Sequence, residues 1–207
     1  MDESYPLTYS VDYPDRELSR LSSFFRIFTV IPIAIVLGTV EGANYSVSTG
    51  NTSTQVATAG GILVAGPLLM ILFRKKYPRW WFDWNRELVR FIARVHAYFV
   101  LMSDTYPSTD EQQYVHLEIE YPNVEADLGR GMPLVKWLLA IPHYIVLFFL
   151  VIAAFFCVVI AWFAILFTGR YPQSLFDFVM GVQRWGLRVA AYALLLVTDR
   201  YPPFSFE

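Results

Sequence analysis

Two sets of acidic and basic residues have the types and the spacing that could do chemistry. In each set an aspartate is followed by arginines seven and eleven residues later, offsets that put all three side chains on one face of a helix. Guanidinium groups bind phosphate and carboxylate, so we expect the arginines to bind lipid phosphate or carboxylates from nearby strands. The aspartate is expected in the first helical turn, where the helix dipole favours a negative charge. A substrate or ion site is the alternative, if the two sets converge on a common axis. The sets are Asp83, Arg90, Arg94 and Asp177, Arg184, Arg188.

The first set lies in a stretch, 79–104, that reads as a long amphipathic helix. Arg86 precedes Arg90 and Arg94 at four-residue spacing, so three arginines share one face. Each arginine at mid-bilayer would cost about 2.5–3.5 kcal/mol, which a helix lying in the membrane interface avoids. We therefore expect interfacial helices at 79–104 and 174–197, with their arginines toward the lipid headgroups. The side chains expected in the acyl boundary of the first helix are Trp80, Trp81, Trp84, Phe91 and Tyr98.

The composition indicates a membrane protein. Of the 207 residues, 56% are hydrophobic and only 16% are charged, and the mean hydropathy is +0.41. Soluble proteins have about 25% charged residues. The net charge of -2 argues against nucleic acid as a partner. These values predict a multi-pass membrane protein that is mostly α-helical.

The chain contains two copies of one unit. "SVDYPDRELSRLSSFFRIFTVIPIAIVL" (10–37) aligns with "EIEYPNVEADLGRGMPLVKWLLAIPHYIVL" (118–147), and Arg26 falls on Lys136. "KKYPRWWFDW" (75–84) likewise aligns with "GRYPQSLFDF" (169–178). A shared order of identities this long indicates internal duplication. We predict repeat 1 at 1–107, a linker at 108–113 and repeat 2 at 114–207.

Each repeat is expected to contain a transmembrane helical hairpin. Repeat 1 carries the polar insertion "EGANYSVSTGNTST" (41–54), which cannot lie at lipid depth, so its position predicts a membrane surface. The expected spans are 24–40 and 56–73 in repeat 1, and 133–146 and 150–167 in repeat 2. A single long helix from Pro142 to Phe167 is the alternative for repeat 2.

The distribution of cations predicts the orientation. The proposed hairpin tips, 41–55 and 147–155, contain none of the 16 lysines and arginines. The positive-inside rule then puts the loop 41–55 outside and both termini in the cytoplasm. The two repeats would run in the same sense.

The segments before and between the helices predict strands and corners. "YPLTYSVDYP" (5–14) and "YVHLEIEYP" (114–122) alternate polar and apolar residues, as half-exposed strands do, and we expect them to pair in a small cytoplasmic sheet. Seven tyrosines precede proline, which biases them away from helix. These Tyr-Pro pairs are expected at corners, with the tyrosine rings at the membrane–water boundary.

Motifs for catalysis and cofactor binding are missing from the sequence. The three histidines lie in different elements, and we find no phosphate loop, dinucleotide fingerprint or nucleophile elbow. We predict no cofactor, no metal and no enzymatic activity. A lipid enzyme that uses Asp83 or Asp177 would lack a nucleophile–base pair.

Several segments resemble a known family. "IPHYIVLFFLVIAAF", "IAWFAILFTGRYPQSLFDF" and "RVAAYALLLVTDRYPPF", with a weaker copy in 10–107, are similar to the prokaryotic membrane family of domain of unknown function 4389. The resemblance implies two tandem copies in a bacterial inner membrane. It implies no activity and no catalytic residue.

The function expected from these features is that of an integral membrane scaffold or accessory subunit. It would bind anionic lipid, a larger membrane complex or further copies of itself through its arginine-rich and aromatic interfacial helices. A small channel or transporter with its pathway at the axis between repeats is the alternative. Scarce polar residues in the spans weaken that alternative.

Overall fold

The computed structural model describes the backbone of residues 5–41, 46–49, 52–55 and 66–207, and the side chains of 5–38 and 66–207. In chain order the elements are β1 (Leu7–Val11), α1 (Arg20–Phe24), α2 (Arg26–Glu41), β2 (Ser46–Thr49), β3 (Thr52–Gln55), a π-helical turn (Met70–Arg74), α3 (Arg79–Phe99), β4 (Val115–Ile119), α4 (Val124–Asp127), α5 (Met132–Leu139), α6 (Ile141–Thr168) and α7 (Gln173–Ala193).

The two alternating segments form an antiparallel pair, as predicted. Strand β1 pairs with β4, and Tyr9 lies opposite Leu117 at the centre of the pair. In both strands every second residue is buried, while Thr8, Ser10 and Glu118 on the other face are exposed. The sheet therefore has one face on the core and one polar face.

The two predicted amphipathic helices are formed, each 21 residues long. Pro78 and Pro172 cap their N-termini, positions where the missing N–H of proline costs no helical hydrogen bond. Beyond their C-termini, Leu101 and Leu196 have positive φ angles of 69° and 58°, which stop the helical path.

These helices form the middle of three layers. On one side of α7, Gln183 and Arg184 bond to Tyr9 of β1. On the opposite side, Trp185 and Val189 pack in a cluster with Leu147 and Leu150 of α6. Phe91 and Val95 of α3 likewise pack against α2. The order of layers is the sheet, then α3 and α7, then the apolar helices α2 and α6.

The predicted hairpin in repeat 2 is wrong, because α6 is one helix of 28 residues. No glycine or proline occurs between His143 and Thr168 to interrupt it. It ends at Gly169, which adopts a left-handed conformation. The insertion in repeat 1 therefore does not mark a turn in repeat 2, and the alternative of a single long helix is confirmed.

In repeat 1 the predicted hairpin is described only in part. Helix α2, 16 residues long, lies at the position of the first expected span, and β2 pairs with β3 in the loop 41–55. Of the second expected span, residues 66–69 are α-helical and are followed by the π-helical turn. Residues 56–65 lie outside the described part of the chain.

The Tyr-Pro pairs mark corners, but two of the tyrosine rings are not at a surface. Tyr77 and Tyr171, just before α3 and α7, are only 2% and 1% exposed. Each packs edge-on against a phenylalanine of the helix that follows, Phe82 or Phe176. Their expected location at a membrane boundary is therefore wrong, and burial raises the pKa of Tyr77 to about 12.

We expect Gly169→Ala to lower the free energy of unfolding by about 1–2 kcal/mol. Its φ of 75° disfavours a side chain, and a Cβ would lie 3.1 Å from Oε2 of Glu17. Gly131→Ala is the matched control, because Gly131 has a φ of -86° and open space around its Cβ position. Chemical denaturation in detergent measures both; equal stabilities would contradict the strain at Gly169.

Candidate functional site

Two of the predicted arginines hold the edges of the sheet. Arg184 donates from Nε to the carbonyl of Tyr9 at 2.8 Å, and Arg90 donates from Nε to the carbonyl of Leu117 at 2.9 Å. In an antiparallel pair only alternate residues bond to the other strand. Tyr9 and Leu117 lie opposite each other at positions that do not, so their carbonyls point away from the partner strand. Each arginine thus satisfies an edge carbonyl that would otherwise lack a partner.

These contacts cross between the predicted repeats. Arg90, in repeat 1, bonds to the strand of repeat 2, and Arg184, in repeat 2, bonds to the strand of repeat 1. Arg90 also forms an ion pair with Glu118 of β4 at 2.7 Å, and Arg184 donates to the carbonyl of Phe206 at 2.8 Å. Arg90 thus binds a strand carboxylate, one of the two partners considered for these arginines, whereas Arg184 binds only carbonyls.

Arg94 and Arg188, one turn further along each helix, are buried. Arg94 is 4% exposed and donates to the carbonyls of Thr109 and Glu111, which ties α3 to the linker. Arg188 is 8% exposed, and its guanidinium lies 5.9 Å from the ring centroid of Tyr5. Burial lowers the pKa of both guanidinium groups from the usual arginine value.

The aspartates of the two sets lie apart from these contacts. Asp83 pairs with Arg79 at 3.5 Å and with Arg86 at 3.4 Å, all on the first turns of α3. Asp177 is exposed near the start of α7. The structure therefore brings Arg90 and Arg184 together at one sheet, whereas Asp83 binds arginines of its own helix.

The tryptophans before Arg86 differ in exposure. Trp80 is 70% exposed and Trp84 is 46% exposed, as an interfacial location requires. The ring of Trp81 packs over Gly66, where a Cβ would lie 2.1 Å from it. Phe91 and Tyr98 are buried against α2, so their expected position in the acyl boundary is wrong. The reason is that α2 covers that face of α3.

We expect Arg184→Met to lower the free energy of unfolding by about 1.5–3 kcal/mol, because two carbonyls lose a charged donor. Arg184→Lys should not restore it, since one ammonium cannot reproduce the planar fork of the guanidinium. Arg170→Met, at an exposed position, is the control and should change stability by less than about 0.5 kcal/mol. Thermal unfolding in detergent gives the comparison, and equal effects at positions 184 and 170 would contradict the edge contact.

Two further cations, Arg26 and Lys136, were not predicted as site residues. Each donates to a carbonyl at 2.7 Å, Arg26 to Ser103 and Lys136 to Thr198. They lie over tyrosine rings of α3 and α7 at 3.8 and 5.3 Å from the centroids. The available signal was the alignment of the two cations within apolar stretches of the two repeats.

The aligned aspartates near these two cations form ion pairs with different residues. Lys136 forms an ion pair with Asp199 at 2.6 Å. Asp104, at the position that aligns with Asp199, pairs instead with Arg16, also at 2.6 Å. Lys136 is therefore neutralised by a carboxylate in direct contact, whereas Arg26 bonds to backbone carbonyls.

The outer face of the apolar layer is exposed over a large area. Helix α6 is long and apolar enough to cross a membrane, with a mean hydropathy of 3.1 over its most apolar window, and only 6% of that window is buried. No other helix in the described residues meets the same criterion. Isolated apolar side chains are normal on protein surfaces, but a continuous patch of this size indicates contact with lipid or protein.

Within the described residues, no three histidine, cysteine, aspartate or glutamate side chains are grouped so that they could hold a metal ion.

Comparison with known families finds a match over residues 132–205, to the family described as Domain of unknown function (DUF4389). The match runs from the start of α5 to beyond α7, somewhat more than a third of the chain, and supports the predicted family for this part. It covers one copy of the predicted unit. No curated protein and no solved structure is significantly similar to the chain.

Proposed function

We propose that the protein is a membrane-embedded scaffold or accessory subunit. The observation that carries this proposal is the exposure of α6, a helix of 28 uncharged residues of which the most apolar window is 6% buried. At about 25 cal/mol per Å² of apolar surface, leaving this helix in water would be strongly unfavourable. Lipid is the environment that covers it.

We further propose that α6 lies along one leaflet rather than across the bilayer. Helix α7 packs along α6 in the antiparallel direction, and β1 packs on the far side of α7, near Gln183 and Arg184. If α6 crossed the membrane, the polar outer face of the sheet would lie at the depth of the hydrocarbon core. A two-stranded sheet with open edges is not stable there.

An arrangement parallel to the membrane avoids this cost. Helices have diameters of about 10 Å, so one layer of them occupies a single leaflet of a hydrocarbon core about 30 Å thick. The arginine-rich helices would then lie above the apolar layer, and the sheet would face the aqueous phase. This proposal replaces the expected multi-pass topology, with its outer loop 41–55 and cytoplasmic termini.

The duplication is part of the proposal. In the two halves the sheet-edge contacts of Arg90 and Arg184 correspond, as do the carbonyl contacts of Arg26 and Lys136. Tyr13 and Tyr121, at aligned positions, also pack edge-on against Phe176 and Phe82 of the opposite half, both at 5.1 Å. Each half thus makes the same contacts with the other half, which supports two copies related by a twofold axis through the sheet.

The surface available to a partner protein is the exposed face of the sheet. Asp12, Glu118 and Glu120 are exposed there, with Asp12 in contact with His116 and Glu118 paired with Arg90. Trp80 and Trp84 support contact of α3 with the lipid interface, where indole rings are enriched. Arg90, Arg94 and Arg184 make their contacts within the protein, which favours a role in assembling the scaffold.

The channel alternative lacks a supporting observation. A pathway on the axis between repeats would pass Tyr9 and Leu117, which are 3% and 2% exposed and packed in the core. We therefore do not propose transport as the function.

Extraction from membranes followed by mild purification tests the proposal. We expect the protein to resist alkaline extraction and to co-purify in a mild detergent with lipid or a partner. A monodisperse monomer that is released by alkali, and that carries neither lipid nor partner, would contradict a membrane scaffold.

A further inference from the structure

An apolar cavity of about 410 Å³ opens between the two apolar helices and the end of α3. Ile27 and Phe99 line it on one side, and Val159, Trp162 and Phe163 of α6 line it on the other. Its volume lies within the range of about 300–1,000 Å³ that is usual for ligand sites. Apart from Ser23 and Arg26, all of its lining residues are hydrophobic.

The two polar residues of this wall have unused hydrogen-bonding groups. Arg26 is 2% exposed and Ser23 is fully buried. Nη1 of Arg26 bonds to the carbonyls of Tyr98 and Ser103, but its Nε and Nη2, and Oγ of Ser23, have no hydrogen-bond partner in the described part of the chain. Two carbonyls and the ring of Tyr98 compensate part of the Arg26 charge, but no carboxylate contacts it, and its Nε–Nη2 edge is unpaired. Burying an unpaired edge of a charged group is costly, so this arrangement points to an anion that is not part of the described chain.

The second half of the chain shows how such a cation is otherwise neutralised. Lys136 is in contact with Asp199, but the aligned carboxylate of Asp104 binds Arg16 and the backbone N–H of Ser19. A carboxylate therefore contacts Lys136 directly, whereas no carboxylate makes the corresponding contact with Arg26. This difference between two otherwise corresponding sites lies at the wall of the cavity.

We propose that the cavity binds a fatty acid, with its carboxylate on Arg26 and Ser23 and its acyl chain along Trp162 and Val159 of α6. Nε and Nη2 form one edge of the guanidinium, which matches the two oxygens of a carboxylate in a bidentate pair. A single chain suits one cavity of this volume better than the two chains of a phospholipid. The proposal rests on the proposed membrane location, because the ligand enters from the lipid.

Entry requires the aromatic side chains at the cavity to move. Phe99 and Phe163 line it and are 51% and 50% exposed, so neither ring is held on all sides. Nε and Nη2 of Arg26 and Oγ of Ser23 have almost no accessible surface, so in the proposal the displacement of these rings also uncovers the guanidinium edge.

Quenching of Trp162 fluorescence by a nitroxide-labelled stearic acid tests the site in phosphatidylcholine nanodiscs. Subtracting the signal of a Trp162→Phe variant isolates this tryptophan. At about pH 9, well above the ordinary pKa of a carboxyl group, we expect half-maximal quenching at an at least tenfold lower concentration for the acid than for its methyl ester. Arg26→Gln and the cavity-filling Val159→Phe should each raise that concentration at least tenfold. Val151→Phe, on an exposed part of α6, should not change it.

The opposite results are equally specific. Equal quenching by acid and ester would overturn the carboxylate contact, and stronger quenching by labelled phosphatidylglycerol would overturn the fatty acid as ligand. Absence of quenching specific to Trp162 would overturn the site. If Arg26→Gln fails to fold, the ester and Val159→Phe still decide the outcome. The scaffold proposal fails separately, through release of the protein by alkali.

Discussion

Lys136→Met is expected to lower the free energy of unfolding by about 3–5 kcal/mol, because it leaves a carboxylate unpaired beside the core. The Lys136 side chain is 0% exposed, and its Nζ lies 2.6 Å from Asp199 and 2.7 Å from the carbonyl of Thr198. Methionine fills a similar volume but donates no hydrogen bond. The substitution therefore leaves the packing largely intact. The lost free energy of unfolding then measures the cost of leaving Asp199 and the carbonyl of Thr198 without their donor.

A pair with a buried carboxylate and an exposed cation provides the comparison. Arg16 and Asp104 are also 2.6 Å apart, with side chains 70% and 8% exposed, so water can take the place of the lost guanidinium and Arg16→Met should cost less than Lys136→Met. Adding Asp199→Asn to Lys136→Met should recover about 1–2 kcal/mol, because the unpaired charge is removed. Denaturant unfolding in detergent measures all four proteins. Equal costs for Lys136→Met and Arg16→Met would show that burial does not distinguish the pairs.

Phe149→Arg combined with Phe156→Arg is expected to abolish stable membrane association. The two phenylalanines are 64% and 58% exposed on the same face of α6. Each arginine in hydrocarbon costs about 2.5–3.5 kcal/mol, and together they offset much of the free energy of insertion. The fraction of protein that stays with membranes after alkaline extraction is the measurement.

The control for this experiment adds the same charge on the other side of the molecule. Thr8→Arg with Ser10→Arg changes two exposed residues on the outer face of the sheet. These variants should remain membrane-bound, because that face is in water in the proposed arrangement. Release of both pairs of variants would indicate general unfolding, and retention of both would contradict lipid contact by α6.

The sequence was sufficient to predict those elements whose patterns are local. Strands β1 and β4 follow from their alternation, and α3 and α7 follow from their amphipathic periods and the prolines that precede them. The pairing of β1 with β4 followed from the duplication. Hydropathy could not distinguish the long helix α6 from a helical hairpin, because a continuous apolar segment shows no position at which the chain turns. Only the absence of glycine and proline favoured continuity.

The binding of lipid or a partner by the candidate site residues stays a prediction, and the contacts that they make within the protein could not be predicted from the sequence. Arg90 and Arg184 were found from their spacing, but the carbonyls of Leu117 and Tyr9 that they bind depend on strand register. The burial of Tyr77 and Tyr171 depends on helices packed from elsewhere in the chain, as does that of Phe91. Arg26 was visible as a cation in an apolar stretch, but its unused nitrogens appear only once its contacts are known.

Depth measurements along α6 test the central claim most directly. Nitroxide labels at Phe149, Phe156 and Phe167, each replaced by cysteine in a Cys157→Ser background, lie on one exposed face of the helix. Accessibility to oxygen and to a water-soluble nickel chelate gives the depth of each label in the bilayer. We predict the same depth at all three positions, within about one helical turn, or ~5 Å. A label at position 156 lying about 10 Å or more deeper than the label at 167, about 16 Å further along the helix axis, would mean that α6 crosses the membrane.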